Sequence, residues 1–143
     1  MSQARIGRHL DELPLELCWQ LLEQHAVGRV ATAGEPGEAP TVHPVNYVVD
    51  RGTVLFRTGS ESTVIALTLG EIAFEVDVVD FGHRTGWSVL VRGRASLVVD
   101  DGEGPPEPWV DERPMVLVRI VPTSVTGRWA HPEAPEGDRR GYL

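Results

Sequence analysis

Lysine is missing from this chain altogether. Its 13 basic residues are all arginines, set against 21 carboxylates for a net charge of −8. The missing lysine reads as the codon habit of a GC-rich genome rather than as chemistry, but the acidic balance excludes a class of function. A nucleic-acid binder displaces counterions from phosphates with a clustered basic face. Here carboxylates gather in 71–80, 100–112 and 133–138, and no basic face is visible. A single cysteine, Cys18, forbids an internal disulfide and fits a reducing compartment. No apolar run approaches the ~20 residues that cross a bilayer, and no apolar signal core follows Met1–Arg5. The expectation is a cytoplasmic protein without a membrane partner. There is no Walker-type loop, no dinucleotide glycine fingerprint and no internal repeat. The five histidines (His9, His25, His43, His83, His131) lack metal-ligand spacing. Ser88 has no patterned histidine and acid that would make it a nucleophile, and Glu75, Asp77 and Asp80 read as the solvated side of a strand and its exit.

What remains is a chain of 143 residues, enough for one core and too few for two comfortable ones. Residues 1–12 are polar and read as a flexible leader, 13–130 as the domain, and the Pro-, Gly- and charge-rich 131–143 as a disordered tail. From Pro14 to Gln24, Leu15, Cys18, Leu21 and Leu22 recur at helical spacing, with Pro14 suited to the first helical position and Gly28 to a left-handed end. The period then switches to two. Gly28–Ala33, Thr41–Val49, Thr53–Thr58, Ile72–Val78, Ser88–Val99 and Met115–Val121 read as strands, the last continuing toward Thr126. Gly34-Glu35-Pro36-Gly37 and Asp50-Arg51-Gly52 are turns, and Ser62–Leu69 suits a short helix closed by Gly70. The acidic, proline-rich 100–113 reads as a loop with a helical turn around Trp109. Six closely spaced strands with few helices point to an antiparallel barrel or sandwich.

Two stretches carry chemistry. Proline cannot donate to a sheet ladder, so Pro44 in His43-Pro44-Val45-Asn46-Tyr47 marks an edge, a bulge or a deliberate interruption. Asn46 offers a donor and an acceptor, and Tyr47 a flat face with a hydroxyl, a mixture that suits a flat ring with polar edges. The same residues equally suit an edge strand facing water. In Phe56-Arg57-Thr58-Gly59-Ser60, continued by Ser62 and Thr63, an arginine is followed by hydroxyls at a helix start, which suits an anion such as phosphate. Helix capping by Ser60 or Ser62 beside a solvated Arg57 uses the same amides. Thr85-Gly86-Trp87-Ser88 adds a close backbone approach and a large stacking surface, or simply a strand that starts with a buried tryptophan.

The order of these features resembles the pyridoxamine 5′-phosphate oxidase-like family, and within it the short actinobacterial members related to nitroimidazole-resistance proteins. The matching segments are Val27-Gly28-Arg29-Val30-Ala31, Pro44-Val45-Asn46-Tyr47, Leu55-Phe56-Arg57-Thr58, Phe74-Glu75-Val76-Asp77, Gly86-Trp87-Ser88-Val89, Val91-Arg92-Gly93-Arg94-Ala95 and Thr126-Gly127-Arg128. The resemblance implies a mainly β fold: a six-stranded antiparallel split barrel with a leading helix and one or two short ones. It also implies a homodimer that holds flavin mononucleotide (FMN) in clefts between subunits. Pro44, Val45, Asn46 and Tyr47 would then contact the ring, with Trp87 and Ser88 beside it. Arg57, Thr58, Ser60, Ser62 and Thr63 would hold the phosphate. One departure matters: relatives carry a lysine where this chain has Thr63 in Glu61-Ser62-Thr63-Val64. A charged hydrogen bond is worth roughly 1.5–3 kcal/mol, or about one to two decades of affinity, so the phosphate end is expected to be weakened.

Three functions are consistent with these residues. The first is a homodimeric FMN-dependent oxidoreductase acting on a small molecule, its chemistry belonging to the flavin and no acid or base singled out. The second is a deazaflavin-dependent reductase, against which the acidic balance and the missing lysines count. The third is a non-catalytic split-barrel protein that binds a ligand such as haem, with His43 or His83 as axial ligand. Arg128 alone suits a substrate phosphate near the C-terminus, which speaks against pyridoxamine phosphate oxidase activity itself.

Overall fold

The computed structural model describes residues 8–59, 69–102, 104–105 and 115–132. Along the chain they form β1 (Arg8–Glu12), α1 (Leu15–Glu23), β2 (Val27–Thr32), β3 (Thr41–Asp50), β4 (Thr53–Gly59), β5 (Gly70–Asp80), β6 (Thr85–Val98) and β7 (Met115–Pro132). Every pairing is antiparallel. The ladder runs β7-β4-β3-β2-β5-β6 and closes by pairing β6 with β7, giving a six-stranded barrel with β1 added on the outside of β7. This is the expected mainly β architecture.

Three local expectations are corrected. Residues 8–12 are not a loose leader: they pair with β7 from Arg8↔Pro132 to Glu12↔Arg128, which also draws His131 and Pro132 out of the supposed tail. β7 runs past the expected Thr126 to Pro132, and α1 begins at Leu15 with Pro14 as its N-cap. Gly28 does not close the helix, because α1 ends at Gln24 in an ordinary right-handed conformation. Gly28 lies instead within β2, where a side chain would collide with the Phe74 ring. The short helices expected over 62–69 and around Trp109 lie outside the described residues.

The turn chemistry explains the β3–β4 hairpin. Arg51 (φ 50°) and Gly52 (φ 72°) both adopt the left-handed conformation of a type I′ turn, whose twist matches the flanking strands. Thr53 Oγ1 donates to the Asp50 carbonyl at 2.6 Å, and Arg119 reaches both residues from β7. A second irregularity lets β6 and β7 stay paired over their length. The register jumps between Arg92↔Ser124 and Gly93↔Pro122, leaving Thr123 as the extra residue of a bulge. The bulge accommodates Pro122 inside a strand. It also brings the chains so close that a Cβ on Gly93 would strike the Val121 carbonyl oxygen.

Inward-facing apolar residues fill the barrel, among them Val30, Phe56, Phe74, Val89, Val91 and Ile120. α1 closes one end with Cys18 and Leu22, both fully buried. Three contacts seat it there. The Leu13 amide donates to the Gly127 carbonyl at 2.9 Å, and Gly127 leaves room for Cys18 Sγ. Tyr47 donates its hydroxyl to the Leu22 carbonyl at 2.5 Å while its ring meets Phe74 edge-on at 4.8 Å.

Gly93→Ala is expected to cost about 1–3 kcal/mol, because the atoms in its way are backbone and cannot swing aside. Urea denaturation should show a lower midpoint with an unchanged slope. Tyr47 supplies a pH prediction. Burial pushes its phenol up to about 12, above the value of about 10 for an exposed tyrosine. Its stabilisation is therefore complete below pH ~10 and lost as pH rises toward the folded-state value. Tyr47→Phe should remove this alkaline limb from the stability profile, and an unaltered limb would disprove the assignment.

Candidate functional site

Strand alternation builds a polar mouth at the barrel end opposite α1. β2 buries Gly28, Val30 and Thr32, so these face inward. On β3 the more protected set is Thr41, His43, Val45 and Tyr47, and on β4 Thr58 continues the row of Val54 and Phe56. Away from the helix the inner row thus changes from apolar to polar: Thr32, Thr41, His43 and Thr58. Thr32 is 1% exposed, and its hydroxyl has no hydrogen-bond partner among the described residues. A buried hydroxyl without a partner costs about 1–3 kcal/mol.

The barrel is split at the same place. The β3–β4 ladder runs only from Tyr47↔Phe56 to Asp50↔Thr53, so Thr41–Asn46 and Arg57–Gly59 diverge without a described strand between them. Pro44 sits on this open edge. The Tyr47 amide donates toward Ala26 at 3.0 Å on the β2 side. By alternation, the missing N–H of Pro44 belongs to the open side, where it costs no ladder bond. Of the edge, bulge or interruption that Pro44 allows, the ladder shows an open edge.

The remaining predicted residues divide. Val45 and Tyr47 point into the core, and Tyr47, 2% exposed, contributes its ring and hydroxyl to the helix seat rather than to a surface. Pro44 and Asn46 face outward, Pro44 exposed and Asn46 half-buried opposite Val27. Arg57 and Thr58 are adjacent on a strand and so project to opposite faces, which prevents them from gripping one group side by side. Trp87 and Ser88 lie near the far end of β6 from Val98, which pairs with Leu117 beside Arg57. One chain therefore does not bring Trp87 and Ser88 to the split edge. Ser60, Ser62 and Thr63 lie outside the described residues. Thr32 and Thr41 were missed, because at the end of a β-branched strand a threonine reads as a propensity choice.

Arg57 is neither solvated nor waiting for an anion. Its guanidinium is 8% exposed and donates to Asp100 Oδ1 at 2.8 Å and to the Pro105 carbonyl. Asp100 Oδ1 also accepts the Gly102 amide at 3.0 Å. Gly104 must be small here, since a Cβ would lie 2.7 Å from Arg57 Nη1 and 2.9 Å from Leu117. The described part of the acidic loop is therefore strapped onto the outer face of β4.

At the other end of the barrel a second concavity of about 620 Å³ lies against α1. Leu13, Leu17 and Leu21 form one side and Trp87 and Trp129, cross-strand neighbours, the other, with Asp11 and Glu12 at the rim. His25 packs against Trp87 at 5.0 Å between ring centres. His131 stacks on Trp129 at 4.0 Å and 21°, and its Nε2 lies 2.7 Å from Asp11. The outer carboxylates are tied locally. Arg29 bridges Glu75 (3.4 Å) and Asp77 (3.0 Å). Partial burial, with the nearby Asp77 charge, still raises the Glu75 carboxyl above its ordinary value. Asp80 accepts from the largely exposed His83 ring at 2.8 Å and from the His83 amide, and these hydrogen bonds hold it below the usual carboxylate range. No group of three metal-ligating side chains occurs among the described residues, and no described helix is long and apolar enough to cross a membrane.

The strap gives a double-mutant prediction. Asp100→Asn should destabilise more than Arg57→Met, because it leaves a buried guanidinium with one neutral partner. The two changes should couple by about 1 kcal/mol or more in urea unfolding. Additivity would mean that the pair behaves like a surface salt bridge.

Comparison with known proteins agrees with this architecture. Residues 14–129 match the family model for pyridoxamine 5′-phosphate oxidase. An uncharacterised Mycobacterium tuberculosis protein, Rv0080, is 32% identical over 132 residues, covering 85% of this chain and 86% of its own. The FAD binding protein of Mycobacterium smegmatis is 33% identical with a TM-score of 0.68, covering 85% of this chain and 98% of that one. A FAD-binding protein from Mesorhizobium loti, at 22% identity and TM-score 0.67 over 84% of this chain and 97% of its own, shares the fold. The closed barrel, the split beside Pro44 and a match spanning nearly all the described residues lead to one conclusion: the chain belongs to the pyridoxamine 5′-phosphate oxidase family.

Proposed function

We propose that this protein is a flavin-binding oxidoreductase acting on a small molecule. The single observation that carries the reading is the buried, unpartnered Thr32 hydroxyl in a polar mouth beside a split sheet edge. A flavin joins a flat ring, which wants an edge with free backbone groups, to a phosphate-bearing chain that accepts hydrogen bonds. The open edge at Thr41–Asn46 suits the first, with Pro44 and Asn46 facing out. The inward hydroxyls of Thr32, Thr41 and Thr58, with His43, suit an acceptor group. When bound, the flavin supplies the electron and hydride transfer. The chain's residues bind it, orient its ring and exclude water.

Arg57 enters this reading differently from the expectation. Asp100 occupies its guanidinium, so Arg57 holds the acidic loop near the cofactor rather than gripping the phosphate. A positive charge at the phosphate is thus missing twice, at Arg57 and at the Thr63 position. FMN is the cofactor expected from the resemblance. FAD is a second reading, supported by the M. smegmatis relative named as FAD-binding at 33% identity. A deazaflavin, with its acidic tail, finds no arginine in the polar row of described residues. For haem, His43 lies in that row and His83 is engaged by Asp80. We further propose a homodimer in which a second copy brings Trp87 and Ser88 to the mouth, since one chain holds them elsewhere.

The test is a titration of the purified protein with FMN and, separately, FAD, followed by visible absorbance and quenching of flavin fluorescence, with sedimentation to read the assembly. Saturable binding weakened about tenfold by Thr32→Val, equivalent to one lost hydrogen bond of ~1.4 kcal/mol, is expected. Absence of binding by either flavin rejects the reading.

A further inference from the structure

We propose that a pocket on the outer face of β5 and β6 binds the phosphate group of a small phosphate ester through Arg92 and Arg94. Strand parity builds it. Val91, Gly93 and Ala95 face the core, so Arg92 and Arg94 project together from the outer face. Two positions along a strand are roughly 6.5 Å apart, a gap that two guanidiniums can close on one oxyanion. Across the ladders Arg92 stands in a row with Ala73 and Ala31, and Arg94 stands opposite Glu71. These side chains, with Thr123 of the bulge, line a concavity of about 390 Å³ in which the two alanines are the shortest wall.

Three observations point to a ligand of this class. The first is charge. With 21 carboxylates for 13 arginines, Arg29, Arg51, Arg57 and Arg119 each lie within ion-pair distance of an acid. Arg92 and Arg94 have no such partner among the described residues, although Glu71 is the cross-strand neighbour of Arg94. Neighbouring cations without a counter-charge repel one another, and an anion between them relieves that repulsion.

The second is donor geometry. One guanidinium fork matches one carboxylate, whereas two adjacent forks match a phosphate ester, which carries two charges and three free oxygens. The third is the apolar surface beside the pair. It runs from Ala73 to Ala31 and on to the exposed Val42, all on the same outer face. An organic group attached to the phosphate would cover this surface, which the bare ion cannot do. Glu71, exposed beside Arg94, opposes the anion.

The proposal does not rest on the flavin reading. β6 is the third strand from the open edge of β3, about 14 Å away at the ordinary strand spacing.

The test is a titration of the full chain with 4-fluorophenyl phosphate, followed by fluorine NMR of the probe. Saturable broadening is expected, and none with 4-fluorophenol, which lacks the phosphate. Arg92→Gln and Arg94→Gln, both at exposed positions, should each weaken binding about tenfold, the effect of one charged hydrogen bond. Glu71→Gln should tighten it about threefold, a gain that misfolding cannot produce. Arg51→Gln, at an exposed turn, should change nothing. Inorganic phosphate should displace the probe only at about tenfold higher concentration.

Absence of saturable binding, or full affinity retained in both Arg92→Gln and Arg94→Gln, would overturn the proposal. An equal loss in Arg51→Gln would reduce it to general surface attraction. Inorganic phosphate binding as tightly as the ester would assign the pocket to the free ion instead. FMN binding is measured on the same variants and should be unaltered. A parallel loss of FMN in Arg92→Gln and Arg94→Gln would make the pair part of the flavin site and reject a separate one. Probe binding without flavin binding keeps the pocket and removes only the flavin reading.

Discussion

Everything in this fold depends on β7. It is long enough to pair with β6 over nearly its whole length, with β4 along Met115–Ile120 and with β1 along Arg128–Pro132. Closing a sheet on itself removes its edges, but only if two strands of unlike curvature stay in register. The Gly93 bulge provides that: one extra residue in β7 bends the strand, and the missing side chain lets the backbones touch. Once β6 and β7 are joined, the inner faces of the remaining strands have a volume to fill, and α1 has an end to close.

Closure at β7 does not zip every neighbouring pair, and β3 and β4 are paired over only part of their length. The two strands pair near their hairpin, where the type I′ turn sets their twist, and part beyond Tyr47 and Phe56. The divergence exposes a proline-marked edge. It also places a row of hydroxyls where apolar residues would otherwise continue the core. The unpartnered Thr32 hydroxyl is the energetic sign of this mouth. At the opposite end, α1 is seated by a tyrosine hydroxyl and a glycine that makes room for a thiol, leaving the two tryptophans half-covered.

The electrostatics are local despite the large net charge. Arg29 joins two carboxylates of β5, Arg119 reaches Asp50, and Arg57 holds Asp100. Each of these pairings ties up an arginine charge, and the inner polar row is made of hydroxyls and an imidazole.

By itself, the sequence determined the six barrel strands, the α1 helix and the two turns, and it narrowed Pro44 to an edge, a bulge or an interruption. These follow from short-range rules: side-chain period, the φ preferences of glycine and the absent donor of proline. The family resemblance was legible for the same reason, since it rests on the order of such local segments. Three things were decided only by the tertiary structure. β1 looked polar and loose because its stability comes from pairing with β7, more than a hundred residues away. Arg57 looked like an anion grip because nothing local announces that Asp100 and the Pro105 carbonyl will fold over it. Tyr47 looked like a ring-binding wall, but strand parity turns it inward to the helix, whereas Thr32, an unremarkable strand residue, is the one left buried without a partner. Each outcome depends on which distant groups compete for the same donor or the same space, and that competition is set only when the barrel closes.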